Sequence, residues 1–115
     1  MKIGDLYLVE IPAINGHEQS GYRPAIVIQS TYGLEKIPTV LIIPLTSKTK
    51  AVAFPFTLTV KPDKSNNLFS TSVALIFQLR AIDKRRLKQK LGTLKNSDVN
   101  KIKQLVKKMM SLGEE

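Results

Sequence analysis

Through residue 79 the apolar residues come in short runs of Val, Ile, Leu and aromatic side chains, separated by Gly, Pro, Asn and Asp. That is the pattern of strands joined by turns. Leu6-Tyr7-Leu8-Val9 predicts a first strand after a Gly4-Asp5 turn. Residues 11–22 read as a loop rich in Pro, Asn and Gly, and Pro24 to Ile28 as a second strand. Pro24 has no N–H to give, so it belongs at a strand's first position or on an edge, and it biases Arg23 towards an extended backbone. A loop over Thr31 to Pro38 leads to Thr39-Val40-Leu41-Ile42-Ile43-Pro44-Leu45-Thr46, a nearly continuous apolar run that predicts a strand buried on both faces. Pro44 predicts a bulge in that strand or its end. Phe54 to Val60 alternates as a half-buried strand does, Lys61 to Asn67 is turn-forming, and Thr71 to Leu79 predicts a last long strand. Five closely connected strands favour a small antiparallel barrel or sandwich.

Beyond residue 82 the period changes. Asp83 is placed to cap a short helix over Lys84 to Lys90, with Leu87 and Leu91 four apart on one face and Gly92 as its terminator. Asn96 or Ser97 is placed to cap a longer helix. Its apolar residues Val99, Ile102, Val106 and Met109 follow helical spacing, and Leu105 and Leu112 widen the stripe. Such a stripe predicts docking against the strands. The expected architecture is therefore mainly β with a C-terminal helix.

Composition narrows the partners. The chain has 115 residues, enough for one domain over 1–115 and a modest core. Lys and Arg total 18 against 9 Asp and Glu, a net charge of +9 that favours an anionic partner. Eleven of the 18 basic residues lie between Arg80 and Lys108, with only Asp83 and Asp98 opposing them. They form either a solvated helix face or a basic rim beside a phosphate site. Cysteine is absent, which excludes disulfides and thiol chemistry and favours a reducing compartment. With a single histidine and no clustered carboxylates, no metal site is expected. The N-terminal residues lack the apolar run of a signal peptide, and no stretch approaches a membrane span. A soluble, cytoplasmic protein is expected.

The richest stretch chemically is Gly16-His17-Glu18-Gln19-Ser20-Gly21-Tyr22-Arg23-Pro24-Ala25. A polar, glycine-bounded loop runs into an apolar strand with an arginine at the junction. A guanidinium at the rim of a rigid sheet can hold two phosphate oxygens at once in its planar fork.

Four stretches together resemble the PemK/MazF family of toxin endoribonucleases from toxin–antitoxin pairs. They are Gly4 to Val9, Gly16 to Ala25, Pro44-Leu45-Thr46-Ser47, and Gln78-Leu79-Arg80-Ala81-Ile82-Asp83-Lys84-Arg85-Arg86-Leu87. They stand in the family's order and at comparable spacing over essentially the whole chain, with residues 47–70 the least similar part. The resemblance implies an SH3-like barrel of about five to seven strands with a C-terminal helix, as in the PemK, MazF and CcdB toxins, paired as a homodimer. It implies metal-independent, sequence-specific cleavage of single-stranded RNA, no cofactor, and an acidic antitoxin partner that covers the RNA groove.

By the same resemblance Arg23 matches the family's catalytic arginine and Thr46 its catalytic threonine. RNA carries its own nucleophile, the 2′-OH. The protein must align and deprotonate it, stabilise the charged transition state and protonate the leaving 5′-oxygen. A threonine hydroxyl can donate to a non-bridging oxygen or orient the 2′-OH. The base is left open between Glu18 and His17: an adjacent arginine weakens a carboxylate base, whereas an imidazole titrates near neutrality. Gln19, Ser47, Lys48, Phe77, Gln78 and Arg80 are candidates for RNA contact, while Lys50 reads as a solvated loop residue. Gln78 and Arg80, two apart on a predicted strand, are expected to share a face. Arg80 serves equally as an ion-pair partner for the Asp83 turn. Phe77 departs from the pattern, since many relatives carry an acid there. It is either a core or interface aromatic or a platform for a base. Two other functions share the fold: an RNA-binding relative that no longer cuts, and a gyrase-binding toxin. The gyrase poisons rely on a C-terminal tryptophan, and this chain has none.

Overall fold

The computed structural model describes residues 1–11 and 21–113. Seven strands and one helix follow in order: β1 (Asp5–Ile11), β2 (Gly21–Val27), β3 (Thr39–Thr46), β4 (Thr57–Val60), β5 (Ser72–Leu75), β6 (Arg80–Asp83), β7 (Leu87–Thr93) and α1 (Asn96–Met109). All pairings are antiparallel, in the order β4-β5-β3-β2-β1-β7, with β6 paired to β3. The mainly β fold with a C-terminal helix is the one expected.

The central strands carry core on both faces, as their unbroken apolar runs require. Ile26, Ile43 and Leu45 point into one cluster, with Leu6, Val60, Ala74, Ile76 and Ile102. Ala25, Val27, Val40 and Ile42 alternate to the other face, with Val9, Leu34 and Ile82. Helix α1 closes the first cluster. Ile102 is fully buried, and Val99, Leu105, Val106 and Met109 pack beside it. Each fully buried aliphatic side chain of this kind contributes about 1.5–3 kcal/mol. The helix stripe therefore docks as predicted, except that Leu112 lies beyond the helix and is exposed. Lys95, rather than Asn96 or Ser97, stands at the cap position, with no side-chain cap bond. Gly4 lets the helix approach. Its φ is +95°, and a Cβ there would stand 2.9 Å from Val99 Cγ2.

Four sequence expectations change. First, β3 does not end at Pro44. It runs to Thr46 and changes partner there, from β2 at Pro44 to β5 at Leu45 and Thr46. Second, the strand expected from Phe54 begins at Thr57, after a 3-10 turn over Thr49–Ala53 and a left-handed Phe56 (φ 59°) that breaks the extended chain. Third, the long strand over Thr71 to Leu79 is split. β5 ends at Leu75, a 3-10 turn spans Ile76–Gln78, and β6 starts at Arg80.

Fourth, the helix over Lys84 to Lys90 is absent. Asp83 does cap, but only a 3-10 turn over Lys84–Arg86, with its carboxylate accepting from the Arg85 N–H at 2.8 Å. Strand β7 follows. A spacing of four, as between Leu87 and Leu91, fits a helical turn and a strand alike, so periodicity alone does not separate them. Here β7 pairs with β1 through two bulges, placing Leu87 in the second cluster and Leu91 in the first.

Two polar anchors hold this part of the fold. Asp5 is buried, accepting from the Lys2 N–H (3.0 Å), Lys2 Nζ (3.1 Å) and Thr93 Oγ1 (3.2 Å), with Lys90 Nζ at 3.5 Å. Burial pushes its carboxyl upward, but the Lys2 hydrogen bonds and the Lys2 and Lys90 charges outweigh this and hold it below the usual value. The second anchor is the 61–68 turn. Asn66 is fully buried and bonds the Asp63 and Leu68 N–H groups and the Lys61 carbonyl, while Asn67 Nδ2 donates to the Leu91 carbonyl at 2.8 Å.

Candidate active site

The site is built where β2 and β3 meet at their ends. Val27 pairs with Ile42, Ile26 with Ile43 and Ala25 with Pro44. Arg23 on β2 and Thr46 on β3 each lie two residues beyond that last pair, and both line one cleft. Neither Pro24 nor Pro44 can donate an N–H, so the backbone ladder between these strands stops there. A cleft of about 360 Å³ begins at that point. It is lined by Arg23 and Pro24 of β2, Leu45 and Thr46 of β3, and Ser47 and Lys48 just beyond. Tyr22 also lines it, so the cleft wraps the end of β2 rather than lying on one sheet face.

Thr46 is half-buried, and its Oγ1 accepts from the Lys48 N–H at 3.2 Å. That bond uses one lone pair, pins the turn to Lys48, and leaves the hydroxyl proton to donate elsewhere. Arg23 is half-buried too, held on a strand that pairs Val9 on its other side. The cations at the cleft are Arg23 and Lys48, and no acid is among its described lining residues. The arrangement is a cationic fork and a hydroxyl donor side by side, suited to an anion with several oxygens.

Of the predicted site residues, the structure brings together Arg23, Thr46, Ser47 and Lys48. His17, Glu18 and Gln19 lie outside the described residues. Phe77, Gln78 and Arg80 do not line this cleft. Phe77 instead packs on Phe54, ring centroids 5.4 Å apart and tilted by 50°, with both rings partly exposed. Gln78 closes a 3-10 turn and Arg80 opens β6 opposite Ile42, so the shared strand face expected for the two is not formed. Nor does Arg80 serve the Asp83 turn. Asp83 pairs with Arg85, Nη2 to Oδ2 at 2.9 Å. The Arg85 side chain and then its N–H hold the Asp83 carboxyl at about 2. Lys50 is exposed, as expected of a solvated residue.

The basic excess of the C-terminal third also lies elsewhere. Arg86 and Lys88 approach Glu10 at 3.7 and 4.0 Å, Lys90 faces Asp5, and Lys84 Nζ donates to the Leu34 carbonyl. Lys101, Lys103, Lys107 and Lys108 are exposed on α1. This charge is divided between local ion pairs and a solvated helix face, and none of it lines the cleft.

Sequence reasoning missed Tyr22, beside Arg23 on β2, and Leu68, Phe69, Ser70 and Ser72, which line the cleft from the 61–68 turn and the start of β5. Leu68-Phe69 falls between the turn over Lys61 to Asn67 and the strand predicted from Thr71, in the stretch least similar to the family. That the 61–68 turn folds back towards β3 is a tertiary fact.

Comparison with known proteins gives the family. The family model for the PemK-like, MazF-like toxin of type II toxin–antitoxin systems matches residues 2–110. The endoribonuclease MazF of Staphylococcus saprophyticus subsp. saprophyticus is 33% identical over 113 residues, covering 98% of this chain and 92% of that protein. Among solved structures, MazF from Deinococcus radiodurans superposes with a TM-score of 0.78 at 24% identity, covering 96% of each chain. A mycobacterial endoribonuclease in complex with its cognate antitoxin gives 0.77 at 18% identity, covering 100% of this chain and 99% of that one. The chain thus belongs to the PemK-like, MazF-like toxin family of type II toxin–antitoxin systems.

Proposed function

We propose that this protein is an endoribonuclease, the growth-inhibiting toxin of a toxin–antitoxin pair, which cuts single-stranded RNA at short sequence motifs without a metal. The observation that carries it is that Arg23, at the end of β2, and Thr46, at the end of β3, line one cleft. The 33%-identical staphylococcal relative, an endoribonuclease MazF, supports the same reaction.

In this mechanism Arg23 grips two oxygens of the scissile phosphate through its fork, and Thr46 donates its free hydroxyl proton to a non-bridging oxygen. Both interactions strengthen as negative charge builds on the pentacoordinate phosphorus. Glu18 or His17 takes the 2′-OH proton. The 2′-oxygen bonds to phosphorus, the P–O5′ bond breaks, and the 5′-oxygen leaves with a proton taken from water. The products are a 2′,3′-cyclic phosphate and a 5′-hydroxyl. Gln19, Ser47, Lys48, Phe77, Gln78 and Arg80 are proposed to contact the remaining RNA, those outside the Arg23 cleft along the strand or across a homodimer. The proposed partner is an acidic antitoxin that covers the cationic cleft; the mycobacterial neighbour is in complex with its own cognate antitoxin. The setting is the cytoplasm. No helix among the described residues is long and apolar enough to cross a membrane.

An oligoribonucleotide carrying one cut site tests the chemistry. Replacing only the nucleotide 5′ of that site with its 2′-deoxy form is expected to abolish cleavage while leaving binding. Cleavage of the deoxy form would rule out 2′-OH attack. Binding without cleavage of the all-ribo form would assign a non-cutting RNA-binding role.

A further inference from the structure

Phe69 is fully exposed at the wall of the Arg23 cleft, and Tyr22, 60% exposed, stands beside Arg23. An aromatic ring left wholly in water gains no burial from the fold. Phe69 is not loosely held. On one side Leu68 packs into the core, and its N–H donates to the buried Asn66 Oδ1 at 2.9 Å. On the other, Ser72 Oγ donates to the Ser70 carbonyl at 3.0 Å, and Ser72 starts β5. A rigid segment therefore presents the ring to solvent at the cleft.

The chemistry on either side identifies the occupant. Arg23 and Lys48 offer positive charge, Thr46 offers a hydroxyl, and the two rings offer flat apolar faces. Phosphate and flat aromatic surface alternate along one class of polymer, a single-stranded nucleic acid, whose bases stack on aromatic side chains. We infer that Phe69 is a base-stacking platform. It takes the nucleobase next to the phosphate held by Arg23, with Tyr22 as the second ring, and so helps decide where the strand is cut. This rests on the ribonuclease reading above and adds a specificity residue to it.

The test uses an oligoribonucleotide that the wild type cuts, and copies of it made abasic at one position at a time around the cut. Phe69→Ala is expected to raise KM roughly 5- to 150-fold, more than it lowers kcat, the range that one stacked base supplies. Phe69→Trp is expected to restore it. One abasic position should weaken the wild type by a similar factor yet scarcely affect Phe69→Ala. Because the chain contains no tryptophan, Phe69→Trp also supplies a lone fluorophore. Its emission should be quenched by the intact oligonucleotide and not by the copy abasic at that position. Wild-type cleavage with unchanged KM in Phe69→Ala, or equal abasic penalties in both proteins, would overturn the platform alone. A wild type that neither binds nor cuts RNA would overturn the ribonuclease reading and the platform with it.

Discussion

Thr46 shows how much one hydroxyl is asked to do. Its oxygen is engaged by the Lys48 N–H, so the proton is what it offers to a substrate. Thr46→Val keeps the shape and removes that donor. We expect kcat to fall about 100- to 1000-fold, the range for losing one donor to a developing oxyanion, with RNA affinity changed little. Single-turnover kinetics beside equilibrium binding would separate the two, and an unchanged kcat would remove Thr46 from the chemistry. Arg23 and Thr46 were legible before the fold, because the resemblance marked both, and the fold then puts both on the lining of one cleft. Phe69 was not legible. Its meaning depends on exposure at the wall of a cleft whose other walls lie more than twenty residues away in sequence.

At the scale of elements, β7 is the instructive case. Lys84 to Lys90 has a cap, a leucine pair four apart and a glycine stop, and all three features have a second use. Asp83 caps a single 3-10 turn, the leucines face two cores across bulges, and Gly92 permits close approach. A Cβ at Gly92 would collide with the Ser65 carbonyl oxygen and stand 2.9 Å from the Asn66 carbonyl carbon. Both contacts are backbone and cannot swing aside. Gly92→Ala should therefore destabilise the fold by about 1–3 kcal/mol, as overpacking does, read as a lower urea midpoint. An unchanged midpoint would mean that the 61–68 turn is not seated on β7. By contrast, the helix and the central strands were legible from periodicity alone. A stripe such as Val99, Ile102, Val106 and Met109 has one use, and runs such as Thr39 to Thr46 fit only strands covered on both faces.

For the molecule as a whole, the +9 charge is unevenly spent. The basic residues of the 84–86 turn and β7 largely face Asp5, Glu10 and Asp83, and those of α1 face water. Arg23 and Lys48 alone supply the cleft's positive charge among its described lining residues. Two phosphate contacts on a single strand predict a slope of about −1.4 for log affinity against log salt. A titration of short RNA across salt concentrations checks this. A flat response would remove phosphate recognition at the cleft, and a slope several times steeper would bring the α1 lysines into the RNA path. The acidic antitoxin proposed as partner would compete for the same two cations.

The most direct test is incubation of a long single-stranded RNA with the wild type and with Arg23→Ala, both in excess EDTA. Circular dichroism should show both proteins folded, since Arg23 is half-buried at a sheet rim and lies outside both core clusters. Discrete fragments from the wild type and intact RNA with Arg23→Ala are the expected result. Intact RNA with both proteins, or the same fragments from both, would contradict a metal-independent ribonuclease centred on Arg23.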